Sequence, residues 1–553
     1  MTTAAKRLDI RIFLGVMIFA LAFAVATQHA WEDWWITFRA SRNLATGHGL
    51  VFTPGERLHT FTSPLGTLLP ALLSWVTGNK SDELVLWLFR VISAGALAGG
   101  VIWLYRALKA LQLQPVSCLL AVALVGLDAK TVDFSINGME TGLQILFLGL
   151  TIHGLLVGGA RQWLRLGMGW AGLMWTRPDG CVYIAILGAC AFLFLSGQAR
   201  AQTRVSWIKL FVVAGLVCTV VYLPWFIWAW SYYGSPIPHT VVAKGTNAPP
   251  LSALKLLGEL VLFPATMVGK DTSLNWVFMP TYAWMGGWYG SVIAVAKVFG
   301  LIAVFAWIIP VLRPETRMMS LSFFFGNFFL THVIRSYFPW YLPTVALFGY
   351  LTIGLLFDEA LQLARRLPEL GWSRGWFRHL SQVLRVGAVV LILAEWSVTA
   401  CMGREMQVQQ KLIENGLRRK IGLWLHDHAQ PHDTVMLEPL GYIGYFSGLK
   451  MYDYPGLSSR KMVEVRKRLG PEKENQAYLI LKPDWLVLRP PEARGESFIE
   501  ATHLKELYKP VKVFDATKEI AAVRWLPGKE YLQFDQTFLV FHRRADADAK
   551  PAD

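Results

Sequence analysis

The chain has 553 residues, 54% hydrophobic and only 16% charged, with a mean hydropathy of +0.39, which excludes an ordinary soluble globular protein. Its net charge of +15 does not point to nucleic acid, because the excess Lys and Arg lies in short loops between apolar stretches. Its five cysteines show no C-x-x-C spacing and no Cys/His cluster, which argues against a disulfide framework or a zinc site.

The first apolar stretch, 11–29, follows Lys6 and Arg7 with the charge pattern of a signal peptide. It is read as a retained helix, since the acidic motif after it needs anchoring at the membrane surface. Ten more stretches follow, at 84–106, 114–128, 138–158, 164–177, 181–197, 206–229, 285–311, 318–335, 338–357 and 383–401. About 20 apolar residues are needed to cross a bilayer, so about eleven transmembrane helices are predicted. With the N-terminus in the cytoplasm, alternation puts every basic short loop inside: Arg106 with Lys109, Arg161 with Arg165, Arg200 with Arg204, Arg313 with Arg317, and the loop 358–382. Three stretches then face outward. They are a first loop, 30–83, with amphipathic helices at 36–46 and 64–77; a second loop, 230–284; and everything after 402. The domains are therefore a transmembrane part, 1–401, and a soluble α/β domain, 402–553. The latter opens on a polar helix and continues with the short β-like runs TVMLEP, DWLVLR, VKVF and FLVFH. The last residues, 543–553, read as disordered.

The chemistry-bearing residues gather on the outward side. Glu32 and Asp33 sit where the first span emerges, a depth at which a carboxylate is costly and functional by default. Either can act as general base on a hydroxyl. Arg39 follows Glu32 by two helical turns, on the same face. In TRPDG, 176–180, Arg177 and Asp179 flank Pro178; the planar guanidinium suits phosphate, and an ordinary turn pair fits equally well. His239 and Lys244 lie in YYGSPIPHTVVAKG, and His332 and Arg335 precede the Trp340–Tyr341 pair; all four cations are candidates for an anionic head group. Glu140 opens a helix, where the dipole favours a carboxylate. No P-loop, GxGxxG, HExxH or GxSxG pattern stands in a credible context.

In order and topology these motifs resemble the GT-C superfamily of membrane glycosyltransferases, and within it the actinobacterial terminal β-arabinofuranosyltransferase branch, over roughly residues 10–460. That branch shows an acidic pair with I-x-x-R, here Glu32, Asp33, Ile36 and Arg39. G-x-G-L-V with G-E and T-S-P-L follows, here Gly47 to Val51, Gly55–Glu56 and Thr62 to Leu65. S-G-M-E-T reads Asn137 to Thr141, and T-R-P-[ED]-G reads Thr176 to Gly180. The Y-Y-G motif spans Tyr232 to Lys244, and the W-Y pair is Trp340–Tyr341. GYIGYFSG and YDYPGL in the tail also match. Glu32 replaces the usual Asp, His239 the usual Asn, and His59 and Thr60 stand where Glu or Gly is commoner.

The resemblance implies an inverting glycosyltransferase. It would move a sugar, arabinofuranose as the first choice, from a polyprenyl-phosphate donor to a glycan, lipid or protein outside the cytoplasmic (inner) membrane of a bacterium. Asp33 or Glu32 would be the base. Arg177, Lys244, His239, Arg335 and His332 would hold the donor phosphate, and Arg39, Glu140, Asp179 and Tyr341 would support them. No cofactor is required; a divalent cation at the first-loop acids is compatible, as in some relatives. The expected partners are the lipid-linked donor, the acceptor and membrane lipids, with no nucleic acid, and the expected state is a monomer. The rivals are a flippase of a lipid-linked saccharide, and a GT-C enzyme for mannose or aminoarabinose.

Overall fold

A computed structural model describes residues 3–196, 203–246, 252–335, 338–366 and 374–545. Arg200, part of the loop 358–382 and the tail 546–553 therefore lie outside the described residues.

The chain opens with α1 (Thr3–Thr27), followed by the first loop with α2 (Glu32–Ala45) and α3 (Pro64–Val76). The start of α3 is encoded locally: the Ser63 hydroxyl accepts from the Gly66 N–H (2.8 Å), and Pro64 occupies the first turn. The bundle continues through α4 (Asp82–Ala110), α5 (Pro115–Leu127), α6 (Ala129–Ile136), α7 (Thr141–Leu156), α8 (Gln162–Thr176), α9 (Gly180–Leu195) and α10 (Arg204–Tyr233). The second outward stretch carries α11 (His239–Lys244), α12 (Ala253–Gly269) and α13 (Ser273–Trp276). The remaining membrane helices are α14 (Gly290–Phe305), α15 (Pro314–Phe328), α16 (Leu342–Arg366) and α17 (Arg374–Gln409).

Every predicted apolar stretch carries a helix, and the chain is a multi-pass membrane protein. The helices differ in length, however. Among the described residues six helices are long and apolar enough to cross a membrane, or seven if α5 and α6, bent by 51° at Asp128, form one span. At 16 residues α7 reaches about 24 Å, short of a hydrocarbon core of about 30 Å. It is buried along most of its length, surrounded by protein rather than lipid. The helix α12 was not predicted; Pro264 and the charges of Lys255 and Glu259 interrupt its apolar pattern.

The predicted outward and inward loops separate onto two ends. At the inward end Arg106 pairs with Asp9 (2.9 Å) and Arg313 with Asp358 (3.4 Å), while Arg365 bonds Gln114 (2.6 Å). At the other end a buried polar clamp fixes the start of α2. Arg90, inside α4, donates to the carbonyls of His29 (2.6 Å) and Ile136 (2.9 Å), and the His29 ring meets Asp133 at 2.8 Å. Trp31 N–H donates to Asn137 O (2.8 Å).

The helix α17 runs through position 402 without a break. A π-helical stretch, Gln410–Arg418, joins it to α18 (Arg419–His428). A five-stranded sheet follows, ordered β2-β1-β3-β5-β4, from β1 (Thr434–Leu437), β2 (Lys450–Asp453), β3 (Trp485–Leu488), β4 (Tyr508–Asp515) and β5 (Thr537–Arg543). The first three strands are parallel, and β5 runs antiparallel to β3 and β4. A short helix, α19 (Gly441–Ser447), crosses from β1 to β2, and α20 (Arg460–Leu469) follows β2. Four of these strands match the predicted runs; KMYD at β2 was missed.

Candidate active site

The segments predicted to face outward converge on one narrow cavity of about 60 Å³. Asp33 lines it from α2, Thr60 to Ser63 from the first loop, Glu140 from the start of α7, and Arg177 from the end of α8. Thr240 and Lys244 enter from α11, Trp340 and Tyr341 from the turn before α16, and Leu457 from the C-terminal domain. Residues far apart in sequence thus meet because each lies at a helix end or in a loop on the same side of the bundle.

Two of the paired charges are committed to each other. Arg177 Nη1 donates to Glu140 (2.9 Å) and Nε to Asp179 (2.9 Å), with the guanidinium 4.6 Å above the Tyr341 ring. Nη2 makes no hydrogen bond among the described residues. Lys244 reaches over the rings of Phe338 (5.4 Å) and Trp340 (5.7 Å) and forms no ion pair among the described residues. Asp33 likewise makes no hydrogen bond or ion pair among them. Burial raises its carboxyl above the ordinary 3.8, against the opposing pull of Lys244 and Arg177. A carboxylate held up in this way, with free lone pairs in a cavity, is suited to taking a proton.

Glu32 is placed differently. Its Oε1 accepts from the Gly441 N–H (2.7 Å) and its Oε2 lies 3.7 Å from Arg418. Burial pushes this carboxyl up to about 8, with Arg418 opposing. Arg418 also pairs with Glu414 (2.8 Å) and Asp535, which continues to Arg489 (2.5 Å). Arg39, expected beside the acids, is buried elsewhere. It donates to the carbonyls of Gly444 (2.6 Å), Gly448 (2.9 Å) and Leu449 (3.0 Å), and so satisfies the end of α19. Glu32 and Arg39 therefore fasten α2 to the C-terminal domain.

Three of the predicted phosphate ligands also lie outside the cavity. His239 faces the backbone of Gly456 and Ser459, and burial lowers its pKa. His332 stacks on Phe328 (5.0 Å) and lies 3.5 Å from Glu259 of α12. Arg335, at φ +56°, turns its Nε back to the His332 carbonyl (3.3 Å). The π-helical turn Phe329–Ile334 reorients this segment, which the apolar pattern did not foretell. The twin acids do not both line the cavity either, because Glu32 is engaged with Gly441 and Arg418. No group of three or more His, Cys, Asp or Glu that could hold a metal ion gathers among the described residues.

Several neighbours were missed. Trp31 stacks on Tyr282 (5.7 Å) and meets Trp340 edge-on (5.9 Å), making an aromatic wall beside Asp33. His59 is buried and stacked on Tyr233 (4.5 Å), with both ring nitrogens unpartnered and its pKa lowered to about 4 by burial. It lines an apolar passage of about 210 Å³ that shares Thr62 with the cavity. That passage shares Met174, Tyr222 and Phe226 with a groove of about 480 Å³ between α8, α9 and α10. The polar cavity, the passage and the groove thus lie side by side along the bundle.

A charged pocket beside such apolar cavities can be set beside known proteins. The terminal β-(1→2)-arabinofuranosyltransferase of Corynebacterium glutamicum is 26% identical over 256 residues, 41% of this chain and 35% of its own length. The enzyme of the same name from Mycobacterium tuberculosis is 29% identical over 258 residues, 42% of this chain and 38% of its own. The chain is similar to terminal β-(1→2)-arabinofuranosyltransferases. The match spans little more than a third of the length of these relatives. A family described as a domain of unknown function (DUF8728) matches residues 401–540. Among solved structures, ArnT from Cupriavidus metallidurans bound to undecaprenyl phosphate aligns over 99% of each chain, at 13% identity and a TM-score of 0.48.

Proposed function

We propose that the protein is an inverting GT-C-type glycosyltransferase moving a sugar, arabinofuranose in the first instance, from a polyprenyl-phosphate donor to an acceptor outside the cytoplasmic membrane of a bacterium. The observation that carries this reading is that Asp33 shares one cavity with Arg177 and Lys244, beside an apolar passage and groove along the bundle. The likeness to arabinofuranosyltransferases supports the sugar. The bias of Lys and Arg toward one set of loops supports the outward placement of the cavity.

In this mechanism the donor phosphate rests between Arg177 Nη2 and Lys244, with its isoprenoid chain along the passage and groove toward α10. Asp33 takes the proton of the acceptor hydroxyl as its oxygen forms a bond to the anomeric carbon from the opposite face. The bond from that carbon to the phosphate oxygen breaks, and the lipid phosphate departs with the electron pair. Lys244 and Arg177 stabilise the growing charge. The leaving group is already activated, so no nucleotide or metal enters the scheme. Glu140 and Asp179 hold the guanidinium in position.

Purified protein given polyprenyl-phosphate arabinofuranose should transfer the sugar. Asp33→Asn should lower turnover by about 10²–10⁴-fold, the usual contribution of a positioned general base. Glu32→Gln keeps an acceptor for the Gly441 N–H and stays neutral, so it should retain turnover and keep its thermal stability at neutral pH. Wild-type turnover in Asp33→Asn would remove the assignment.

A further inference from the structure

Next to the catalytic cavity lies a wider, open groove of about 450 Å³ on the seam between the first loop and the C-terminal domain. Glu56 and Arg57 line one side, and Lys450, Arg460, Lys461 and Glu464 the other. Lys450 and Glu56 pair across the seam. Arg57 lies over the Tyr232 ring (5.2 Å). Arg460 and Lys461 are exposed and form no ion pair among the described residues, so three cations face the single carboxylate of Glu464.

The position of Arg460 and Lys461 sharpens the point. Ser459 caps α20, its hydroxyl accepting from the Met462 N–H (3.2 Å), and the two cations occupy the first turn. Cations are disfavoured there, because the helix dipole already makes that end positive. With Arg57 and Lys450 added, the groove concentrates positive potential that a bound anion would relieve.

The groove also adjoins the cavity along two stretches of the chain. Glu56 to Leu58 line the groove and Thr60 to Ser63 the cavity; Leu457 lines the cavity and Ser459 to Lys461 the groove. Between them the His239 N–H donates to the His59 carbonyl (2.8 Å). Two or three residues of extended chain span only about 7–10 Å, the length of one or two sugar rings.

Resting on the transferase reading of the cavity, we infer that this groove binds the acceptor, and that the acceptor is an anionic saccharide bearing phosphate or carboxylate groups. Arg57, Arg460 and Lys461 would take the anionic groups. Glu56 and Glu464 would accept hydrogen bonds from ring hydroxyls. The chain would then present a terminal hydroxyl to Asp33.

The test uses the full chain in phosphatidylcholine nanodiscs and three fluorescent oligosaccharides of equal length: a phosphorylated malto-oligosaccharide, an oligogalacturonate and a plain malto-oligosaccharide. Both anionic probes should bind at least about tenfold tighter than the neutral one, and the preference should fall with salt, since the site is exposed. The double variant R460E/K461E should lose at least about tenfold for the anionic probes only. Glu is favourable in a first helical turn, so this variant should fold. The stronger anionic probe distinguishes phosphate from carboxylate. Equal binding of all three, or anion binding untouched by R460E/K461E, overturns the inference. So does a gain in affinity for phosphatidylglycerol discs that the variant abolishes while saccharide binding stays put. The two readings fail separately: donor turnover with no preference for anionic acceptors defeats this one, whereas anion binding without any sugar transfer defeats the transferase.

Discussion

Asp33 and Glu32 are neighbours in sequence with opposite surroundings. At Asp33, burial raises the proton affinity while Lys244 and Arg177 pull it down, and burial prevails. A base must be deprotonated to act, so kcat/KM should fall as pH drops through a value above the ordinary 3.8 of aspartate. Lys244→Met removes a cation that lowers this pKa, so it should move the acid limb further up; a pH–rate profile of both proteins checks the direction. At Glu32 the folded pKa, about 8, lies above the ordinary 4.5. Between those values the unfolded chain is ionised while the folded site prefers the proton. Its contribution to stability is therefore complete below about pH 4.5 and is lost as pH rises toward 8. Thermal unfolding across that window should show a downward slope that flattens in Glu32→Gln.

The seam between α2 and α19 is where local sequence stops being informative. Trp35 of α2 meets Tyr442 (5.3 Å) and Tyr445 (4.7 Å), and Arg39 donates three hydrogen bonds to backbone some 405 to 410 residues away. A Cβ on Gly441 would fall 2.0 Å from the Glu32 carbonyl oxygen, so the close approach requires glycine. Gly441→Ala should force the helices apart, and Arg39→Met should cost about 3 kcal/mol or more by leaving those carbonyls with an uncharged neighbour. Limited proteolysis should release the C-terminal domain faster from both variants.

This seam also explains what could be read in advance. Apolar periodicity and loop charge sort the chain into two faces, which is why Asp33, Glu140, Arg177, Lys244 and Tyr341 were legible as one group. Arg39 was legible as important, but its partners lie in another domain and no spacing encodes them. His332 and Arg335 were assigned to the correct end, yet a π-helical turn and a left-handed residue aim them elsewhere. His59 stood out only as a departure from a motif; its stacking on Tyr233 belongs to the folded chain.

Across the whole molecule, the polar cavity, the passage at His59 and the groove beside α10 lie in a row that shares lining residues from one cavity to the next. If the donor's chain lies along that row, filling it should penalise long lipids selectively. Cys218→Trp, in the groove wall, should raise KM for a long-chain polyprenyl donor by at least about tenfold and affect a short-chain donor much less. Equal effects on both donors would separate these cavities from lipid binding.

The stretch His379–His428 is a single apolar-to-polar helical rod of 50 residues, passing from the bundle into the sheet-bearing domain. Its irregular turn, the π-helical stretch Gln410–Arg418, is the place at which such a mast could flex. On the transferase reading, product and fresh donor would then be exchanged by small movements at that turn and at the short helix bearing Lys244.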